Sequence, residues 1–81
     1  MNEFIGTYVE NELLTSVLCD IKRFCLKPGE CWPIQRAIQY YSNPAWEKII
    51  NYLLDEGILI CEEDKEGYFL SEAGYVFVNT R

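Results

Sequence analysis

Two sets of side chains in this 81-residue chain have the chemistry for a reaction or a metal: Cys19, Cys25, Cys31 and Cys61, and the carboxylates Glu62, Glu63, Asp64 and Glu66. With no histidine in the chain, zinc would need all four thiolates, and their spacings match no CxxC knuckle. Cys19 and Cys25 fall six apart in a predicted helix, about 240° around its axis, and so face different ways. They read as reduced, half-buried thiols of an intracellular protein. The carboxylates have acid–base chemistry, but they sit on an expected loop with no pocket around them. No phosphate-cradling glycine loop or nucleophile elbow is present. The chain therefore reads as non-enzymatic, with no metal and no cofactor.

Recognition is the other chemistry open to these acids, and their distribution is uneven. Residues 44–56 hold Glu47, Lys48, Asp55 and Glu56, a net of −2. Residues 62–66 hold Glu62, Glu63, Asp64, Lys65 and Glu66, a net of −3. Together they supply −5 of the formal −6. One basic patch opposes them: Lys22, Arg23, Lys27 and Arg36 against Glu30, a net of +3. Helix-dipole complementarity accounts for its first three members. Otherwise the patch would make a secondary anionic contact or the positive half of a self-complementary dimer.

These groups must be positioned by one small domain, since 81 residues leave no room for a second core. A composition that is 49% hydrophobic and 15% aromatic is globular. No apolar run approaches the roughly 20 residues of a membrane span, and the N-terminus lacks a secretory pattern, so a cytoplasmic protein is expected.

Residues 1–10 read as an N-terminal arm. Phe4, Ile5, Tyr8 and Val9 repeat at i, i+4, which suits a first helical turn, an arm lying on the core, or one crossing to a second subunit. A first helix is expected over 11–26, with Asn11 as N-cap and an apolar stripe of Leu14, Val17, Leu18, Ile21 and Cys25 widened by Leu13 and Phe24. Pro28-Gly29 stops it. Glu30-Cys31-Trp32 is an extended link ahead of Pro33. A second helix over 33–41 turns Ile34, Ala37, Ile38 and Tyr41 inward. A third, over 44–56, buries Trp46, Ile49, Ile50 and Leu53, shows Glu47, Lys48, Asn51 and Asp55, and ends at Gly57. A hairpin follows over 58–70, with its acidic tip at 62–66. Ser71 caps a terminal helix over 71–79, although 75–78 is apolar enough for a strand. Trp32, Tyr40 and Tyr52 fall on flanks or links, as interface aromatics or as the edge of a core.

Four features give the chain a likeness. Ala37 is the small residue inside the second helix, and Ser42 precedes Trp46 by four. Leu53-Leu54-Asp55-Glu56-Gly57-Ile58-Leu59 ends the third helix, and Gly67-Tyr68-Phe69-Leu70-Ser71-Glu72-Ala73-Gly74 returns from the hairpin. In these the chain resembles the winged helix-turn-helix superfamily over residues 11–78. The resemblance implies an α+β fold: a three-helix bundle with a small antiparallel β-wing and a short C-terminal helix. It also implies a dimeric DNA-binding regulator, with Lys48, Asn51, Tyr52 and Lys65 toward DNA.

Two departures stand against that role. The turn before the third helix is about one residue short, and the wing tip is acidic where DNA-binding members carry Arg or Lys. Tight duplex binding commonly neutralises about 6 to 10 phosphates; this chain has seven basic residues in all. The charges favour a protein partner with a basic surface, met through Glu47, Asn51, Tyr52, Asp55, Glu62, Glu63, Asp64 and Glu66. The acidic tip also serves as a solvated loop that keeps the protein soluble. Small, acidic, solitary winged helices look like phage or mobile-element products, inhibitors or adaptors of nucleic-acid machinery or mimics of nucleic acid. A homodimer would form through the N-terminal arm or the terminal helix.

Overall fold

The computed structural model describes residues 4–64 and 66–80. Its first helix, α1 (Tyr8–Arg23), starts earlier than the expected Asn11. Thr7 Oγ1 accepts from the Glu10 N–H at 3.2 Å, and Glu10 Oε1 accepts from the Thr7 N–H at 2.7 Å. This capping box satisfies two otherwise orphaned donors. Asn11 lies inside the helix, and its amide donates to the carbonyls of Gly6 and Thr7. The helix also ends earlier, because Cys25 takes a left-handed φ of 52° and points into solvent instead of joining the buried stripe. Leu13, Leu14, Val17, Leu18 and Ile21 form the buried face, together with Asp20.

Strand β1 (Cys31–Trp32) is held extended by the following Pro33. It pairs antiparallel with β3 (Tyr68–Leu70), setting Cys31 opposite Phe69 and Trp32 opposite Tyr68. That pairing makes the expected extended link a strand and puts Trp32 in the core and not at its edge, since its indole is fully buried.

The second helix is α-helical only over α2 (Ile34–Ala37) and tightens to a 3-10 turn over Ile38–Tyr40. In a 3-10 turn, side chains three apart eclipse. Tyr40 therefore follows the buried Ala37 inward, while Ile38 and Tyr41, expected inside, are 58% and 41% exposed.

Asn43 Oδ1 accepts from the Ala45 N–H at 2.9 Å and turns the chain into α3 (Trp46–Asp55). Ile49, Ile50 and Leu53 are buried, and Trp46 is half-buried against them. The end of α3 is a Schellman motif. Gly57 has a φ of 69°, its N–H donates to Leu54, and the Ile58 N–H donates to Leu53. Ile58 and Leu53 are both fully buried, the apolar contact that such an ending favours.

Strand β2 (Leu59–Ile60) then pairs with β3, Leu59 opposite Leu70, so that β3 is the central strand in the order β1-β3-β2. Ser71 caps α4 (Glu72–Asn79) by accepting from the Gly74 N–H at 2.8 Å. Residues 75–78 are therefore helix. The Ser71 hydroxyl also donates to the Gly57 and Ile58 carbonyls, tying the start of α4 to the end of α3.

Four helices and a small three-stranded antiparallel sheet make an α+β domain, with α1 packed on α3 and α4 around one core. Among the described residues no helix is long and apolar enough to cross a membrane.

Candidate functional site

The outward side of α3 carries two rows of side chains four residues apart. Glu47, Asn51 and Asp55 form the exposed row. Lys48, Tyr52 and Glu56 form its neighbour, which meets the N-terminal segment. Phe4 packs edge-on against Tyr52, ring centroids 4.9 Å apart. The Lys48 ammonium stands 5.6 Å from the centre of the Phe4 ring and 3.1 Å from Glu10 Oε1. The backbone N–H of Thr7, and then Lys48, hold the Glu10 carboxyl below its ordinary value. One carboxylate thus closes the α1 cap and ties down the one cation of α3. Between the segment and the helix runs an open groove of about 870 Å³, with Pro44 at one end and Asp55 and Glu56 at the other.

The acidic loop leaves the sheet beside the start of α3. Glu62, Glu63, Asp64 and Glu66 are exposed; Lys65, assigned toward DNA by the family likeness, lies outside the described residues. Gly67 anchors the loop with a φ of 89°, where a Cβ would come within 2.9 Å of Cys31 Sγ and 3.1 Å of the Trp32 carbonyl. The next residue, Tyr68, meets Trp46 edge-on at 6.2 Å. Trp32, Tyr40 and Tyr41 complete an aromatic cluster around Trp46, so Trp32 and Tyr40 build the site from beneath and do not line it.

Burial first, and then the hydrogen bond with Tyr41, push the Tyr68 phenol up to about 12. A raised value favours the neutral, folded form, so this contribution is complete below about pH 10 and is lost as pH rises toward about 12. A tyrosinate absorbance titration is expected to show a late phenol that Tyr68→Phe removes.

The basic patch does not hold together as four free cations. Arg36 reaches Asp20, with Nη2 2.6 Å from Oδ1 and Nε 3.4 Å from Oδ2, and lies 5.5 Å from the centre of the Phe24 ring. The Trp32 indole N–H donates to the same carboxylate at 2.8 Å. Lys22 and Arg23 sit in the last turn of α1, where cations complement the helix dipole. Nothing in the spacing of the acids marks the buried Asp20 as part of this network. Its signal was a charge among the apolar positions of α1, with an indole elsewhere in need of an acceptor.

Cys19, Cys25 and Cys61 are exposed and Cys31 is half-buried, all as free thiols. Among the described residues no three potential metal ligands come together. Comparison with known proteins finds no matching family model, no matching curated protein and no matching solved structure.

Proposed function

We propose that this chain is a cytoplasmic winged-helix module that binds a protein partner through a basic surface on that partner and performs no catalysis. The order α1-β1-α2-α3-β2-β3-α4, with β3 central, supports the winged-helix reading. On that reading α3 is the reading head and the β2–β3 hairpin the wing. The observation that carries the functional reading is the state of α3. Its single cation, Lys48, is paired with Glu10 beneath Phe4, while Glu47 and Asp55 stand in solvent. A surface that grips phosphates needs the opposite arrangement. Surfaces built to hold nucleic acid are basic, so a protein of the nucleic-acid machinery is the partner class that fits, with an inhibitor or adaptor of phage or mobile-element type as the corresponding role.

The competing reading, a dimeric regulator using Lys48, Asn51 and Tyr52, is tested by fluorescence anisotropy with a random-sequence duplex at about 50 mM salt, where electrostatic affinity is strong. No binding up to about 100 μM protein is expected, the weak edge of ordinary non-specific affinity. Micromolar, salt-sensitive binding would overturn the protein-binding reading.

A further inference from the structure

We propose that the groove between the N-terminal segment and α3 is the docking site for an amphipathic, basic helix of the partner protein. This inference deepens the function proposed above and rests on it. The groove is bounded by Phe4 and Ile5 on one side and by the Glu47-Asn51-Asp55 row on the other. Its floor is apolar where Phe4 lies on Tyr52. Ile5, on the groove wall, is 85% exposed, and the next residues of the segment to carry large apolar side chains, Tyr8 and Val9, are exposed as well. Exposed large apolar residues grouped beside a groove mark an interaction site more than scattered ones do.

The acids choose among occupants. Glu47 and Asp55 are eight residues apart, about 12 Å along the helix axis at 1.5 Å per residue. A helix lying alongside α3 meets both with Lys or Arg at i and i+7 or i+8, and meets the floor with apolar residues at i+3 and i+4 between them. Asp55 also sits at the negative end of α3, whose last turn has no basic residue. Acids there oppose the helix dipole. A local rule broken in this way at the mouth of a groove is expected where an incoming cation supplies the compensation.

A second copy of this chain fits poorly, because each copy carries a formal −6 and would bring one acidic face to another. An added strand fits poorly as well, because no residue of β1, β2 or β3 lines the groove to pair with one.

The test uses the full chain, labelled with 15N, and three synthetic 18-residue peptides of Leu and Lys, equal in composition but for one proline in the third. One is patterned as an amphipathic helix, one is scrambled to remove the pattern, and one is patterned but carries a central proline. The patterned peptide is expected to shift amides of residues 4–9 and 44–56, and to bind at least about tenfold more tightly than the other two, the scale of one well-made contact set. Glu47→Lys with Asp55→Lys, both at exposed positions, is expected to weaken it at least about tenfold, and Phe4→Ala to do so without loss of the folded amide spectrum. Changing Glu62, Glu63 and Asp64 to Lys is expected to leave the affinity within about twofold. Equal binding of the scrambled peptide would reduce the groove to a diffuse acidic surface and overturn the proposal. Tolerance of the proline would overturn the helical occupant. Shifts confined to residues 60–68 would overturn the groove while sparing the basic-partner reading, and no binding by any peptide would count against both.

Discussion

Asp20→Ala is expected to destabilise the domain by about 3 kcal/mol at neutral pH, combining the loss of a charge-assisted hydrogen bond with an indole donor left unsatisfied. Asp20 is only 4% exposed and accepts from both Trp32 and Arg36. The loss is large against the roughly 4 to 12 kcal/mol that about 0.05–0.15 kcal/mol per residue allows for a chain of this size. Asp20→Asn keeps an acceptor for the indole and is expected to lose less, so urea melts of the pair separate the hydrogen bond from the charge.

Arg36→Met tests the same network through pH. In the native protein burial pushes the Asp20 carboxyl up, but the hydrogen bonds from Arg36 and Trp32 and the charge of Arg36 outweigh it and hold the group below its ordinary value. A depressed value means that the charged form stabilises the fold above about pH 4, and that this contribution is lost as pH falls through the native value. Without the guanidinium, only the Trp32 hydrogen bond and the charge of Arg23 still oppose burial, so the value rises and this contribution shrinks. The stability gap between native protein and variant is therefore expected to be wide at pH 7 and to narrow toward pH 3. A gap independent of pH would assign Arg36 a packing role against Phe24 instead.

Gly74→Ala is expected to be about as damaging, near 3 kcal/mol by melting. Alanine in place of a helical glycine ordinarily stabilises by about 0.5–1 kcal/mol. Here a Cβ would run into the Ile58 carbonyl oxygen and stand 3.0 Å from Leu70 Cδ1. The first neighbour is backbone and cannot rotate away. Either α4 lifts or the entry to β2 shifts, and Ile58, Leu70 and Val78, all nearly inaccessible, lose packing together. Ala73→Gly, one residue earlier on the exposed side of α4, should lose only the ordinary helical increment of about 1 kcal/mol. Equal effects at the two positions would remove close approach as the reason for Gly74.

What the chain shows on its face are the features written in neighbouring residues. The acidic row of α3 follows from spacing alone, and the Gly57 ending and the Ser71 cap are local turn chemistry. Thr7 with Glu10 was equally local, but the apolar stripe beginning at Leu13 drew the helix start to Asn11. The features that were not legible depend on contacts between distant segments. Trp32 is buried by pairing with Tyr68 and by an acceptor on α1, and neither is visible in the link that holds it. Arg36 reads as a surface cation until Asp20 is placed beside it. The groove likewise needs Phe4 and Tyr52 together, so sequence supplied one wall of the site and tertiary structure the other.

The clasp at Ser71 has a consequence for how such a protein can change. Ser71 binds both carbonyls that close α3, and its own N–H donates to Ile58, so the two ends of the hairpin are fastened to each other below the loop. Residues 61–66 lie beyond that fastening. An insertion there lengthens the loop without parting the joined ends of the hairpin. Insertions in the loop are therefore expected to leave the packing of Leu53, Ile58 and Leu70 in place.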